Sequence, residues 1–198
     1  MTVRFINLGI TKYPLALLEM EIAHDNVQHG SSECVFITEH EALYSAGKSF
    51  EPKDFLITPK CPVYFPKRGG RVTVHSPGQL VIYPIINLMK RNLNVHGYVE
   101  TLERWIIRSL KSFGIIAELS DEGVGVWVNG SKVGFIGVRI EHGVSSHGLC
   151  LNVSNDLSMF KAIVPCGIQG VKITSLNTIF PGIQMQDVIT AFIDNCPF

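Results

Sequence analysis

The strongest nucleophile candidate in this sequence is Cys166, held in Val164-Pro165-Cys166-Gly167-Ile168. The segment reads as a loop, and the glycine that follows leaves the sulfur little steric cover. A thiolate, not a thiol, is the attacking species. Lys132 is the second candidate. It stands before Val133-Gly134-Phe135-Ile136-Gly137-Val138, a run with no charge. An ammonium beside a thiol favours the thiolate, and the same lysine once neutral serves as a general base. Blander readings exist for both. A lysine at the mouth of an apolar strand snorkels to water, and most cysteines are small buried hydrophobes. Cys34, in a strand-like run, and Cys196, near the last helix, fit that pattern, whereas Cys61 falls on a loop. The third stretch is Lys67-Arg68-Gly69-Gly70-Arg71-Val72-Thr73-Val74-His75-Ser76-Pro77-Gly78-Gln79. Its paired glycines let the backbone approach a ligand closely. Arg68 and Arg71 flank them as candidate anion holders, against the alternative of a turn with a solvated basic face. The chain reads best if these three segments meet around one pocket.

Other chemistries are poorly supported. His142, His147 and Cys150 match no zinc-ligand spacing and supply only three ligands, so no metal is expected. Seventeen basic residues balance seventeen acidic ones, which argues against nucleic acid as a partner. No apolar run is long enough to span a membrane, and the N-terminus turns polar too early for a secretory signal. The five cysteines are odd in number, widely spaced and without a C-x-x-C pair, which favours reduced thiols and a cytoplasmic setting. One local imbalance stands out. Residues 53–71 hold Lys53, Lys60, Lys67, Arg68 and Arg71 against Asp54, five minus one or net +4, a candidate steering surface for an acidic partner.

The elements that must position these residues follow from periodicity and punctuation. Val3–Leu8 predicts a strand. Residues 14–28 predict a helix with Leu15, Leu18, Ile22 and Ala23 on its inner stripe. A strand follows over 34–38, continued or joined by a neighbour over 39–45. Residues 46–66, rich in proline, predict a mobile loop with little regular structure. Residues 79–86 predict a strand, with Pro84 implying an edge or a bulge. The clearest helix is 99–113, with Leu102, Trp105, Ile106 and Leu110 inward and Gly114 as its stop. Strands over 115–118, 125–128, 132–141 and 145–153 follow, with hairpin turns at Asn129-Gly130 and His142-Gly143. Asn155-Asp156 caps a short helix through Phe160, and 184–195 predicts the last helix. Mixed element order with hairpins predicts one α+β domain, a mixed-sheet α/β arrangement, over residues 1–198.

Taken together, the segments resemble the octanoyltransferases of lipoate biosynthesis, the lipoyl(octanoyl) transferase family. The matching residues are Arg68-Gly69-Gly70, Thr73, His75-x-Pro77-Gly78-Gln79, Gly125-Val126-Trp127-Val128, Lys132, Gly137-Val138-Arg139, His147-Gly148-Leu149, Leu151-Asn152, Pro165-Cys166-Gly167 and Thr174-Ser175-Leu176. The match runs from about Glu39-His40 to Leu176, and its order and spacing are highly specific. The chain departs from the family pattern at Val74, usually aromatic, at Ser76, usually glycine, and at Cys150, commonly alanine.

The resemblance implies the fold of the biotin/lipoate protein ligase catalytic domains, a mixed β-sheet flanked by helices. It implies that an octanoyl group moves from the phosphopantetheine thiol of acyl carrier protein to Cys166, assisted by Lys132. From there it moves to a lysine of apo lipoyl domains in 2-oxoacid dehydrogenase complexes and the glycine cleavage H protein. Arg68, Gly69, Gly70, Arg71, Val72, Thr73, Val74, His75, Phe135, Ile136, Gly137, Gly148, Leu149 and Cys150 are the expected substrate contacts. No ATP, metal or other cofactor is expected, and a monomer is. The alternative is an ATP-dependent lipoate–protein or biotin–protein ligase on the same fold, in which Pro165-Cys166-Gly167 would be idle. A non-catalytic carrier-binding module would not need both Lys132 and Cys166, and a redox sensor would need a resolving cysteine.

Overall fold

The computed structural model describes residues 3–198. In chain order its elements are β1 (Arg4–Ile10), α1 (Tyr13–Gln28), β2 (Cys34–Glu39), β3 (Leu43–Ala46), β4 (Val63–Tyr64), β5 (Val72–His75), β6 (Gln79–Ile85) and α2 (Val95–Lys111). There follow β7 (Glu118–Ser120), β8 (Gly123–Val128), β9 (Ser131–Glu141), β10 (Val144–Asn152), α3 (Leu176–Ile179) and α4 (Met185–Asp194). The main sheet runs β1-β2-β6-β10-β9-β8-β7, and a small second sheet runs β4-β3-β5. Only β1–β2 is parallel in the main sheet. The architecture is α+β, a mixed sheet with helices on both faces.

Strand β6 shows why both faces must be covered. Leu80 and Ile82 point to a core shared with Leu102, Trp105 and Phe192 of α2 and α4. Val81, Tyr83 and Ile85 point to a second core under α1, with Ala16 and Met20. A strand buried on both faces reads as a continuous apolar run. Each such side chain contributes about 1.5–3 kcal/mol by leaving water. On the first face, Trp105 Nε1 donates to Phe192 O at 2.8 Å and locks α2 against α4. Asn94 caps α2 by accepting the Gly97 N–H at 2.8 Å, so that the helix begins at Val95, four residues before the sequence pattern becomes periodic.

Four expectations need correction. Pro84 sits in the middle of the sheet, not at an edge: β6 lies between β2 and β10, with Val35 opposite Pro84. Its polar side faces β10, where Ser145 Oγ donates to Pro84 O at 2.7 Å and accepts the Ile86 N–H at 2.9 Å. The β6–β10 ladder ends at Ile82–Leu149, and Asn87 bridges Val144 in the same register beyond the gap. One hydroxyl thus satisfies the Pro84 carbonyl and the Ile86 N–H, the two backbone groups left unpaired where proline interrupts the ladder.

Helix α1 turns a different stripe inward. Tyr13, Ala16, Met20, His24 and Val27 are buried, whereas Leu15, Leu18 and Ile22 are about half exposed. Two neighbouring stripes are apolar, and polar atoms decide between them. Tyr13 Oη meets Ser45 Oγ at 3.2 Å and His24 Nε2 meets Glu141 O at 3.2 Å, partners that exist only on the inner side.

Residues 46–66, expected as a mobile loop, carry a 3₁₀ turn at Pro52–Asp54 and strand β4. Strand β3 joins β4 and β5 into the second sheet, which covers part of the α1 face. The short helix expected through Phe160 is a 3₁₀ turn over Ser158–Ala162, with Asp156 accepting the Ser158 N–H.

Candidate active site

Lys132 and Cys166 are brought together by the backbone. The Lys132 N–H donates to Lys172 O at 2.7 Å and the Thr174 N–H donates to Lys132 O at 3.0 Å. The chain following Cys166 is thereby laid beside the start of β9. Lys132 itself is fully buried, and its Nζ donates to Val124 O at 2.6 Å and lies 3.8 Å from Cys166 Sγ. The ammonium position is 4.4 Å from the Trp127 ring centroid, within cation–π range.

Gly125 makes this burial possible. A Cβ there would come within 2.6 Å of Lys132 Cε and 2.5 Å of Gly134 O, at a φ of +137°. Glu103 of α2 holds that point of β8 by accepting the Gly125 N–H at 2.8 Å.

Cys166 is partly exposed and occupies the left-handed region, at φ 56° and ψ 13°. A non-glycine residue held there stores about 1–3 kcal/mol of strain, a pattern that clusters at functional sites. The turn is closed by Gly167 N–H to Val164 O and Ile168 N–H to Pro165 O, both 3.0 Å. The other cysteines differ. Burial pushes the Cys34 thiol up to about 11 and the Cys150 thiol up to about 12, and raises that of Cys196.

Cys166 opens on a cavity of about 340 Å³. All three segments singled out in the sequence reach it. Among the expected substrate contacts, Arg68, Gly70, Arg71, Val72, Thr73, His75, Phe135, Ile136, Gly137, Gly148, Leu149 and Cys150 line its wall. Gly69 and Val74 do not line it. The Gly69 N–H is spent on Val138 O at 2.8 Å, and Val74 alternates to the second core, fully buried. Exposed Ser49, Glu122 and Gly123 mark the mouth, and buried Tyr13, His75, Tyr83 and Cys150 mark the closed end. Thr73 Oγ1, buried and without a hydrogen-bond partner, belongs to a residue of the wall.

Both arginines line the cavity and both are already engaged within the chain. Arg68 is buried and donates to Ser45 Oγ, Ser45 O and Gly69 O at 3.1, 2.5 and 2.8 Å. A Cβ at Gly47 would meet its Nη1 at 2.8 Å, so this glycine makes the guanidinium's berth. Arg71 is paired with Asp54 at 2.6 Å and Glu51 at 2.8 Å, and Glu51 also holds Lys53 at 2.7 Å. The net +4 counted over 53–71 is therefore largely neutralised or buried, and the proposed steering surface reduces to Lys60 and Lys67. Glu51 lies just outside the counted window, which is why the sequence count missed it.

Tyr13, Tyr83 and Ile168 belong to the site and were not read from the sequence. The available signal was a tyrosine inside the otherwise aliphatic β6 run. At the closed end, His40 Nδ1 lies 2.7 Å from Thr11 O, which can only accept, so this nitrogen carries the proton. Its Nε2 then accepts from Tyr83 Oη at 2.8 Å. Burial is the main reason that protonation of His40, His75 and His147 is disfavoured. His75 lies well below the usual histidine range and His147 is pushed down to about 3, with the Arg68 charge acting in the same direction on both. The unfolded chain therefore takes up more protons than the folded one. Stability is complete above about pH 6.5 and is lost as the pH falls from there toward the folded-state values. For His147 alone the loss is on the order of 2 kcal/mol by pH 5. Urea midpoints should fall clearly between neutral pH and pH 5, and an unchanged midpoint would contradict the buried neutral cluster.

Among the described residues, no cluster of His, Cys, Asp and Glu has the makings of a metal site, and no helix is long and apolar enough to cross a membrane.

Residues 12–196 match the family model of the lipoyl protein ligase A/B catalytic domain. An octanoyltransferase of Zymomonas mobilis is 35% identical over 98% of this chain and 92% of its own length. An octanoyltransferase of Paramagnetospirillum magneticum is 41% identical over 93% of this chain and 90% of its own. Among solved structures, lipoate-protein ligase A bound with ATP superposes with a TM-score of 0.78 at 17% identity, covering 98% of this chain and 84% of that one. Biotin protein ligase from Aquifex aeolicus in complex with biotin and ATP gives 0.59 at 12% identity, covering 97% and 68%. At such identities the structures speak for the fold alone. The sequence relatives go further: this chain belongs to the octanoyltransferases of the lipoyl protein ligase A/B catalytic domain family.

Proposed function

We propose that residues 1–198 act as one catalytic domain, a cytoplasmic monomer that moves an octanoyl group from octanoyl-acyl carrier protein to Cys166. It then passes the group to the ε-amine of a lysine on apo lipoyl domains of 2-oxoacid dehydrogenase complexes and the glycine cleavage H protein. The observation that carries this reading is the 3.8 Å approach of Lys132 Nζ to Cys166 Sγ at the wall of a cavity that opens to solvent at one end. A wall of Val72, Val81, Phe135, Ile136 and Leu149 suits an eight-carbon chain, at about 0.8 kcal/mol per buried methylene.

The steps balance through one proton. Lys132 takes the Cys166 proton, and the thiolate attacks the donor carbonyl carbon. The bond to the pantetheine sulfur breaks, and that sulfur leaves with the proton returned by Lys132. The acceptor's neutral amine next attacks the Cys166 thioester. Its surplus proton passes to Lys132, the C–N bond forms, and the Cys166 sulfur departs and regains the proton. Thioester exchange is nearly isoenergetic and aminolysis to an amide is downhill, so neither ATP nor a metal is needed. The Arg68 guanidinium, lacking a carboxylate partner, favours negative charge developing in the cavity.

An ATP requirement separates this reading from a ligase on the same fold. With Arg71 engaged by Asp54 and Glu51, and the Gly69 N–H spent on Val138, little of the glycine turn is left for an adenylate phosphate. Transfer from octanoyl-acyl carrier protein to an apo lipoyl domain should proceed fully in ATP-depleted buffer. Transfer that needs ATP and uses free octanoate instead would replace this reading with the ligase.

A further inference from the structure

A second groove, of about 490 Å³, borders the nucleophile turn at Val164, Pro165 and Ile168. Leu56, Phe160, Ile163, Pro165 and Val171 form its apolar walls, and exposed Lys161 lies along it. It shares Ile168 with the acyl cavity. Cys166 therefore stands between two spaces. Its own side chain lines the first, and its chain neighbours Pro165 and Ile168 wall the second.

A thioester poised for attack at Sγ has a trigonal carbonyl carbon with two chains leaving it in different directions. The acyl chain fills one space, and the sulfur-bearing chain requires the other. We infer that this groove binds the phosphopantetheine arm of the acyl donor and that Lys161 meets its phosphate. The inference rests on the function proposed above and adds the donor's own subsite.

The chemistry of the arm matches the groove. Its geminal methyl groups suit the aliphatic walls, and its phosphate needs a cation. Among the described residues, Lys161 is in no ion pair. Asp156, which feels its charge, is already engaged by the Ser158 N–H and Oγ at 2.8 and 2.6 Å. The rival occupant is the acceptor lysine. Its stem is a plain hydrocarbon that brings no anion, so it has no use for Lys161.

The test compares three octanoyl donors on the full-length protein, reading Cys166 acylation by intact mass: octanoyl-N-acetylcysteamine, octanoyl-pantetheine and octanoyl-4′-phosphopantetheine. In the unaltered protein the phosphate should raise kcat/KM about tenfold over pantetheine, as one charge-assisted hydrogen bond does. Lys161→Ala should erase that ratio and Lys161→Arg should keep it. Val171→Trp, which fills the groove, should lower the ratio of pantetheine to N-acetylcysteamine rates about tenfold. Ratios unmoved by either substitution would overturn the inference while leaving the proposed function intact, provided the shortest donor still acylates Cys166. A Lys161→Ala defect confined to transfer onto the lipoyl domain would assign the groove to the acceptor and overturn it too. Acylation by none of the donors would remove the proposed function and this inference together.

Discussion

Cys166→Ser should lose octanoyl transfer by about a thousandfold or more, the scale expected when a covalent nucleophile is removed from a unit that works as a whole. Serine keeps the size and the turn, so the fold should survive. What it loses is an ionisable sulfur within 3.8 Å of a cation. A hydroxyl does not ionise under the influence of one lysine, and its ester would be a poorer acyl donor than a thioester. The remaining cysteines serve as controls. Cys34 and Cys150 are buried, with thiols pushed up to about 11 and about 12, so they stay protonated near neutral pH. Cys34→Ser and Cys196→Ser should change thermal stability and leave turnover close to that of the unaltered protein. Full transfer by Cys166→Ser would eliminate the covalent mechanism.

Lys132→Met should separate the two half-reactions. Methionine preserves most of the buried apolar stem, so packing against Trp127 and Phe135 is largely kept, while the charge and the base are lost. Iodoacetamide alkylation of Cys166 should slow at neutral pH and recover part of its rate as the pH rises, because ionisation then no longer needs the lysine. Self-acylation from the donor should follow the same profile. Transfer from a preformed acyl-enzyme to the acceptor should stay slow at every pH, by about 10²–10⁴-fold, the usual contribution of a positioned base. Unaltered alkylation across pH would show that Lys132 does not promote the thiolate. Normal transfer from the preformed acyl-enzyme would show that it is not the base.

How much of this was legible in the sequence depends on whether the signal was local. Asn129-Gly130 and His142-Gly143 read as hairpin turns because such turns demand positive φ at both central residues. The structure has 50° and 69° at the first pair and 48° and 76° at the second. The helix carrying Leu102, Trp105 and Ile106 was equally plain from its period.

What failed depended on partners far along the chain. Pro84 reads as an edge or bulge residue until Ser145, 61 positions later, supplies a hydroxyl that pairs with the Pro84 carbonyl and the Ile86 N–H across the gap in the ladder. The proline-rich stretch before β5 reads as loop because strands as short as β4 carry almost no periodicity. Arg71 reads as a free anion holder because Glu51 and Asp54 cannot be seen to reach it.

The pairing of Lys132 with Cys166 is the instructive case. Each has a local rationale, but nothing local joins positions 34 apart; the family resemblance alone brought them together. In the structure the link is the backbone contact of Lys132 with residues 172 and 174.

The central claim is a thioester on Cys166 that the enzyme forms without ATP and then gives to an amine. The most direct measurement mixes the protein with octanoyl-acyl carrier protein in ATP-free buffer, records intact mass, and then adds apo lipoyl domain. The expected result is one octanoyl group on the protein, located at Cys166, released by hydroxylamine and discharged onto the lipoyl domain's lysine at a rate that accounts for turnover. A protein that turns over at full rate with no acyl group ever found on Cys166, or with an adduct that the lipoyl domain does not discharge, would contradict it.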